Sequence, residues 1–130
     1  MADNFAVILE LNEYMDAKQM TVAAGTSISK GDLLKLSGDN TASISSSDDE
    51  EYAGVAAADK DGTDSSTKLA VYTPGQGNKF DMKCAEGGAV ALGKMVVLSG
   101  ANLIAQAVDG DFENGYVIGK AMEAGDAGRL

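Results

Sequence analysis

Two stretches of the sequence share one pattern: residues 25–38 read GTSISKGDLLKLSG, and residues 87–100 read GGAVALGKMVVLSG. An offset of 62 positions aligns them, and several of the remaining apolar positions are conservatively replaced. Tight turns between short strands use glycine, because glycine adopts a positive φ and lets backbones approach closely. The repeated spacing therefore predicts two copies of one turn–strand–turn unit. The identical pairs are Gly25/Gly87, Gly31/Gly93, Leu36/Leu98, Ser37/Ser99 and Gly38/Gly100.

The match extends beyond these stretches. Asn40 and Asn102 continue it, and residues 52–56 (YAGVA) resemble residues 116–121 (YVIGKA) with one insertion. A Gly/Pro loop at residues 73–78 divides the chain near its middle. We expect residues 1–20 to form an N-terminal arm or first strand, followed by a single β domain over 21–130 made of half-units at about 21–73 and 79–130. The glycines expected at turns and repeats are Gly25, Gly31, Gly38, Gly54, Gly87, Gly93, Gly100 and Gly119.

The remaining pattern is that of short strands. Alternating or β-branched apolar residues predict strands at 5–11, 33–36, 68–72, 80–84, 95–98 and 116–122. Residues 12–20 are expected to form a short helical turn or an arm, and the polar tract 39–51 a solvated loop. Because no stretch of ten residues carries an apolar stripe with helical spacing, the sequence predicts an all-β protein.

Composition excludes several functional classes. The chain has 130 residues, no His, one Cys and a net charge of −10. Without His there is neither a Ser-His-Asp system nor an imidazole metal site, and a single Cys forms no internal disulfide. The negative charge opposes binding driven by phosphate neutralisation. Because Leu, Ile, Val and Phe make up only about 21% of the chain, close to the composition of disordered proteins, we expect the fold to need an oligomer or a scaffold.

Two acidic stretches and one lysine carry weaker signals. Residues 59–64 (DKDGTD) and 109–115 (DGDFENG) lack the glycine and glutamate positions of a calcium-binding EF-hand loop, so we expect hydrophilic turns. We predict no catalytic, cofactor-binding or metal-binding residues. Lys83, which follows Met82, raises an alternative, because biotinyl and lipoyl carrier domains present a modified lysine beside Met at a hairpin tip. Lys83 lies instead within an alternating pattern, and a second Met does not follow it.

The repeated unit resembles the small decoration (cement) proteins of tailed-bacteriophage heads. The matching pieces are residues 24–38 with 52–58, and residues 87–100 with 116–122. The resemblance implies a small β-barrel or β-tulip-like domain with an N-terminal extended arm. It also implies a homotrimer on the outer surface of the capsid, made in the host cytoplasm, that stabilises the head without catalysis. Its partner would be the major capsid protein, with no nucleic acid and no membrane. A generic β interaction module of a phage tail or fibre is the other alternative.

The N-terminal segment suggests how such a protein would bind. Residues 2–11 precede the repeated units and are apolar, so they could add as a strand to an exposed edge of the capsid protein. A core strand is the alternative role for this segment. The negative charge suits a surface that faces away from packaged DNA. The candidate capsid contacts are Phe5, Val7, Ile8, Leu9 and Leu11.

Overall fold

The computed structural model describes residues 6–10, 17–48, 50–63, 65–74, 78–85, 89–108, 110–111, 114 and 116–125, with the backbone alone for residues 7–10. The all-β class predicted from the sequence is confirmed, since these residues contain ten strands and no helix. The strands are β1 (Val7–Glu10), β2 (Lys18–Thr21), β3 (Leu33–Gly38), β4 (Thr41–Ile44), β5 (Tyr52–Ala56), β6 (Lys68–Tyr72), β7 (Lys79–Asp81), β8 (Met95–Leu98), β9 (Ile104–Gln106) and β10 (Val117–Lys120).

Strands β2 to β6 close into a barrel, which we call the first unit (residues 18–72). Its strand order is β2-β4-β3-β5-β6, with β2 and β4 parallel and the other neighbours antiparallel. Alternate residues of each strand point inward and bury an apolar core. The core residues are Met20, Val22, Ile28, Leu34, Ala42, Ala53, Ala56, Leu69 and Val71.

The second unit (residues 79–125) contains β7 to β10 and repeats part of the strand pairing of the first. Strands β8, β9 and β10 form a three-stranded sheet, and β7 pairs with β1 in a separate two-stranded sheet. β8 lies between β9 and β10, as β3 lies between β4 and β5. The pair Leu34↔Ile44 becomes Val96↔Gln106, and every β3–β4 partner from residue 34 to 36 has its equivalent 62 positions later. The parallel bridge Cys84↔Ile104 corresponds to the parallel contact between β2 and β4. We call residues related in this way counterparts.

The turns repeat as closely as the strands. Asn40 and Asn102 have positive φ values of 47° and 58°, and Gly31 and Gly93 have 95° and 80°. Asparagine and glycine tolerate this left-handed conformation, which explains why these residue types recur at an offset of 62.

β5 and β10 share a bulge that shifts their correspondence to 65 positions. Gly54 lies opposite Leu34 and Gly119 opposite Val96, and one residue on each strand, Ala53 or Ile118, is left without a partner. Such an extra residue bends the strand and increases its twist. Because Val117 lies opposite Val97 as Tyr52 lies opposite Lys35, the counterpart of Tyr52 is Val117. The match of Tyr52 with Tyr116 expected from the sequence is therefore one position off.

The amino-terminal strand joins the second unit. β1 pairs antiparallel with β7 through Val7↔Asp81 and Ile8↔Phe80. In the first unit, the strand that flanks β2 in this way is β6, which pairs with Lys18 and Gln19. β1 thus takes the place in the second unit that β6 has in the first. Residue 6 adds to this packing, since Ala6 is buried and its N–H donates to the Gly31 carbonyl at 2.8 Å.

Three sequence expectations need correction. Residues 18–20 belong to β2 and not to a helical turn, because their partners on β6 supply hydrogen bonds that local propensity does not foresee. Residues 39–51 were expected to form a solvated loop, but they contain β4. Ala42 in β4 and Ser45 directly after it are each only 1% exposed. The strand predicted over 80–84 is only β7, followed by a bridge at Cys84.

Candidate functional site

The predicted capsid contacts fall on or beside β1. Val7, Ile8 and Leu9 lie in this strand, and its backbone pairs with β7 of the same chain. Phe5 and Leu11 lie outside the described residues. The three described candidates therefore lie in a two-stranded sheet, β1-β7, that is separate from the sheet β10-β8-β9.

The predicted glycines play different structural parts. Gly31, Gly54, Gly93 and Gly100 have positive φ. A Cβ at Gly54 would overlap the Tyr72 carbonyl and lie 2.7 Å from Val71 Cγ1, so only glycine lets β5 approach β6. The remaining predicted glycines fall into three groups. A Cβ would meet nothing within 4 Å at Gly25 or Gly119, it would make ordinary contacts at Gly38, and Gly87 lies outside the described residues.

A buried polar network joins the two units. Asn102, which is 3% exposed, accepts the Leu33 N–H at its Oδ1 at 2.7 Å and donates from Nδ2 to Asp32 Oδ1 at 2.9 Å. Its own N–H donates to Ser45 Oγ at 3.0 Å, and Ser45 Oγ donates to the Gly100 carbonyl at 3.1 Å. Buried polar groups are costly unless they are paired, and here each finds a partner across the contact.

Apolar side chains surround this network. Leu33 and Val55 lie on the face of β3 and β5 that points away from the barrel core, and they pack in one cluster with Leu98 and the core of the second unit. At the rim, Ser99 Oγ donates to Asp48 Oδ1 at 2.8 Å. We call this contact the junction: the turn Leu98–Asn102 of the second unit docks on the face of the first unit formed by Asp32, Leu33, Ser45 and Val55.

The residues of the junction could not be selected from the sequence. The pair Asn40/Asn102 was visible as part of the repeat, but nothing local shows that Asn102 is buried while Asn40 is exposed. Asp32 is 3% exposed, although a carboxylate in a glycine-containing turn normally faces water.

A cavity of about 560 Å³ lies between the two units, lined by β7 and β10 of the second unit and by Tyr52 and Tyr72 of the first. Tyr52, Phe80, Met82, Cys84 and Ile118 contribute to its wall. Burial raises the pKa of the Tyr52 hydroxyl above its ordinary value. Lys79, Asp81, Lys120 and Glu123 also line the cavity, so its wall is partly apolar and partly charged.

Lys83 lies in the sequence between Met82 and Cys84, two residues that line this cavity. It is half-buried between β7 and the bridge at Cys84, and its carbonyl accepts the Ile104 N–H at 3.0 Å. The structure therefore places it inside the sheet and not at an exposed two-residue hairpin tip.

An ion pair joins β3 to the segment that follows β4 in the first unit. Lys35 Nζ lies 2.6 Å from Glu50 Oε2, and the Ser46 and Ser47 N–H groups donate to Glu50 Oε1 at 2.7 and 2.9 Å. Burial alone would raise the pKa of the Glu50 carboxyl, but these hydrogen bonds outweigh it and lower the pKa to about 2. Beside the pair, Leu36, Asp39, Asn40 and Glu51 line an open groove.

The acidic stretches behave as turns where they are described. Asp61 Oδ1 accepts the Thr63 N–H at 2.9 Å, and this hydrogen bond lowers the pKa of Asp61. Within the described ranges, no group of three or more His, Cys, Asp or Glu side chains is placed to hold a metal ion. The same ranges contain no helix with the length and apolar character needed to span a membrane.

In comparisons with known proteins, the sequence matches no family model and no curated protein.

Proposed function

We propose that this chain is a structural virion protein that binds the outer surface of a tailed-phage head and stabilises it without catalysis. The observation that carries the proposal is the repeated unit itself. The repeated pattern that resembles decoration proteins spans the paired strands β3 and β8 and includes the positive-φ residues Gly31 and Gly93. In this proposal the partner is the major capsid protein, the chain acts as a homotrimer, and neither nucleic acid nor membrane is bound.

The charge of the chain supports the outward placement. A net charge of −10 is repelled by packaged DNA, so the protein is suited to the outside of a shell and not to its lumen. Three weak binding sites joined in a trimer would bind the capsid about 10²–10⁴ times more tightly than one site alone. A small protein with few large apolar residues can thereby act as a clamp.

The edge of β1 supports a mode of attachment. In the first unit, β6 pairs with β5 through Val55↔Tyr72 and Ala56↔Val71 and closes the barrel. Among the described pairings, β1 is joined to β7 and not to β10. An unpaired strand edge accepts a further strand through backbone hydrogen bonds. We therefore place the capsid contact along β1, with residues 5, 7, 8, 9 and 11 as its candidates.

Binding to heads tests this proposal. Expanded heads are assembled from the major capsid protein of the same genome without this chain, mixed with the purified protein and sedimented. We expect saturable co-sedimentation and a higher temperature of head disruption. Wild-type protein that stays in the supernatant at all concentrations contradicts the proposed function.

Deletion of residues 2–11 tests whether the N-terminal segment is needed for capsid binding, for folding, or for both. This deletion removes β1 as well as the candidates, so its thermal unfolding must be measured alongside binding. A shorter deletion of residues 2–4 keeps β1 and all five candidates and serves as the matched variant. Leu92→Ser, at an exposed position, serves as the binding control. Undiminished binding by a folded 2–11 deletion would rule out the arm. A stoichiometric biotinyl or lipoyl mass on Lys83 would favour the carrier alternative.

A further inference from the structure

The turn that forms the junction occurs in both units, but only the copy in the second unit is buried against the other unit. Leu98 and Asn102 of the second unit are 0% and 3% exposed, because they dock on the first unit. Their counterparts Leu36 and Asn40 have the same backbone position and the same positive φ at the asparagine. Leu36 is nevertheless 41% exposed, and Asn40 is exposed as well.

The receiving face also exists twice. In the first unit it consists of Asp32, Leu33, Ser45 and Val55, all of which are buried by the turn of the second unit. The counterparts of these residues in the second unit remain at the surface. Lys94 and Lys120 are exposed, Met95 is 42% exposed and Ala107 is half-buried.

The two unused surfaces have complementary charge. Asp39 and Glu51 are exposed and line the groove beside Leu36 and Asn40. The unused face carries Lys94 in the place of Asp32 and Lys120 in the place of Val55. Opposite charges steer association and exclude wrong partners, and each surface has one exposed large apolar side chain at its centre, Leu36 or Met95.

We propose that the Leu36–Asn40 turn of one copy docks on the Lys94–Met95–Ala107–Lys120 face of a second copy, in the position of the junction. Because Lys94 and Ala107 cannot make the hydrogen bonds of Asp32 and Ser45, ion pairs of the two lysines with Asp39 and Glu51 replace them. Such a contact is head-to-tail, because the surfaces that meet are different. It closes into a ring where its rotation allows closure and otherwise grows into a filament. In a trimer it would arrange six units around one axis. The inference rests on the repeated fold and stands whether or not the protein binds a capsid.

Charge reversal tests the face. Light scattering over a wide concentration range should show wild-type association that weakens as salt is raised. Lys94→Glu/Lys120→Glu should weaken it at least tenfold. Lys18→Glu/Lys68→Glu, which changes the charge equally at two exposed lysines of the barrel, should leave it unchanged. A wild-type chain that is monomeric at every concentration overturns the proposal, as does equal weakening by both double variants.

Mixing two variants tests the direction of the contact. Leu36→Asp damages only the turn and Met95→Asp damages only the face, so each variant alone should be monomeric. In an equimolar mixture, the intact turn of the Met95→Asp chain meets the intact face of the Leu36→Asp chain. We expect a dimer of one copy each that grows no further, with unfolding midpoints near wild type. A mixture that remains monomeric, or a single variant that still associates like wild type, overturns the proposal.

Discussion

The first and second units share strand order, register and turn geometry, yet they complete their sheets differently. The first unit closes through β6, which follows β5 along the chain, and encloses a core of fully buried side chains. The second unit pairs β7 with β1 from the other end of the chain. Its cluster includes Phe80, Met82 and Ile118 as half-buried members, and a cavity of about 560 Å³ lies among them.

This difference shows that the same local sequence pattern can form either a closed barrel or an open sheet. The turns and strand pairs depend on nearby residues, so both units form them. Closure depends on whether a strand from elsewhere in the chain reaches the open edge. We infer that the barrel is the more rigid half and that the second unit derives part of its stability from the junction with the first.

The largest effect expected from this comparison is at the paired bulge glycines. Gly54→Ala should lower the free energy of unfolding by about 4 kcal/mol, because a Cβ overlaps the Tyr72 carbonyl at a φ of 139°. Gly119→Ala, where a Cβ meets nothing within 4 Å, should change it by less than about 1 kcal/mol. Urea denaturation of both variants measures the contrast. Equal destabilisation would show that the second unit closes as tightly as the first.

A smaller effect is expected at the paired leucines of the turns. Leu98→Ala should cost about 3 kcal/mol, since it opens a cavity in the buried junction. The same substitution at Leu36, which is 41% exposed, should cost about 1 kcal/mol or less in the monomer. Chemical denaturation at low protein concentration compares them free of self-association. A Leu36→Ala variant as unstable as Leu98→Ala would place Leu36 in a core and remove it from the surface.

The smallest effect expected is the pH dependence of the Lys35–Glu50 pair, whose lysine is replaced by Val97 in the second unit. The pKa of Glu50 is lowered from 4.5 to about 2. Its stabilisation is therefore fully present above pH 4.5 and lost as pH falls toward 2. Glu50→Gln should remove about 1–2 kcal/mol at pH 7 and less at pH 2. Unfolding midpoints between pH 2 and 7 test this, and a constant difference between variant and wild type would contradict it.

The sequence predicted best what local chemistry controls. The strands over 68–72 and 95–98 have the bounds that alternation and β-branching indicated. The glycines at positions 25, 31 and 93 lie at turns, whereas those at 38, 54 and 119 lie within strands. β4 escaped prediction, because its sequence TASI is short and its neighbours are polar. β9 escaped for a similar reason, being only three residues long. Both strands are held by partners on β3 or β8, and pairing of this kind outweighs weak propensity.

The candidate surfaces were less predictable than the fold. The apolar N-terminal segment was predicted as a strand. Its partner β7 lies some 70 residues away, and neither sequence shows which strand it pairs with. Burial of a carboxylate at Asp32 depends on Asn102, which is distant in sequence and reaches it only through packing of the units. Such choices are made by long-range contacts that no local window contains.

By itself the sequence determined that this is an acidic, all-β chain with one turn–strand–turn unit written twice, because glycine and asparagine at fixed spacing impose the same backbone wherever they recur. Only the tertiary structure decided which copy of each surface is used. Leu98 is buried and Leu36 is not, although both begin the same Leu-Ser-Gly sequence, because burial depends on the neighbours that a residue contacts and not on its own identity.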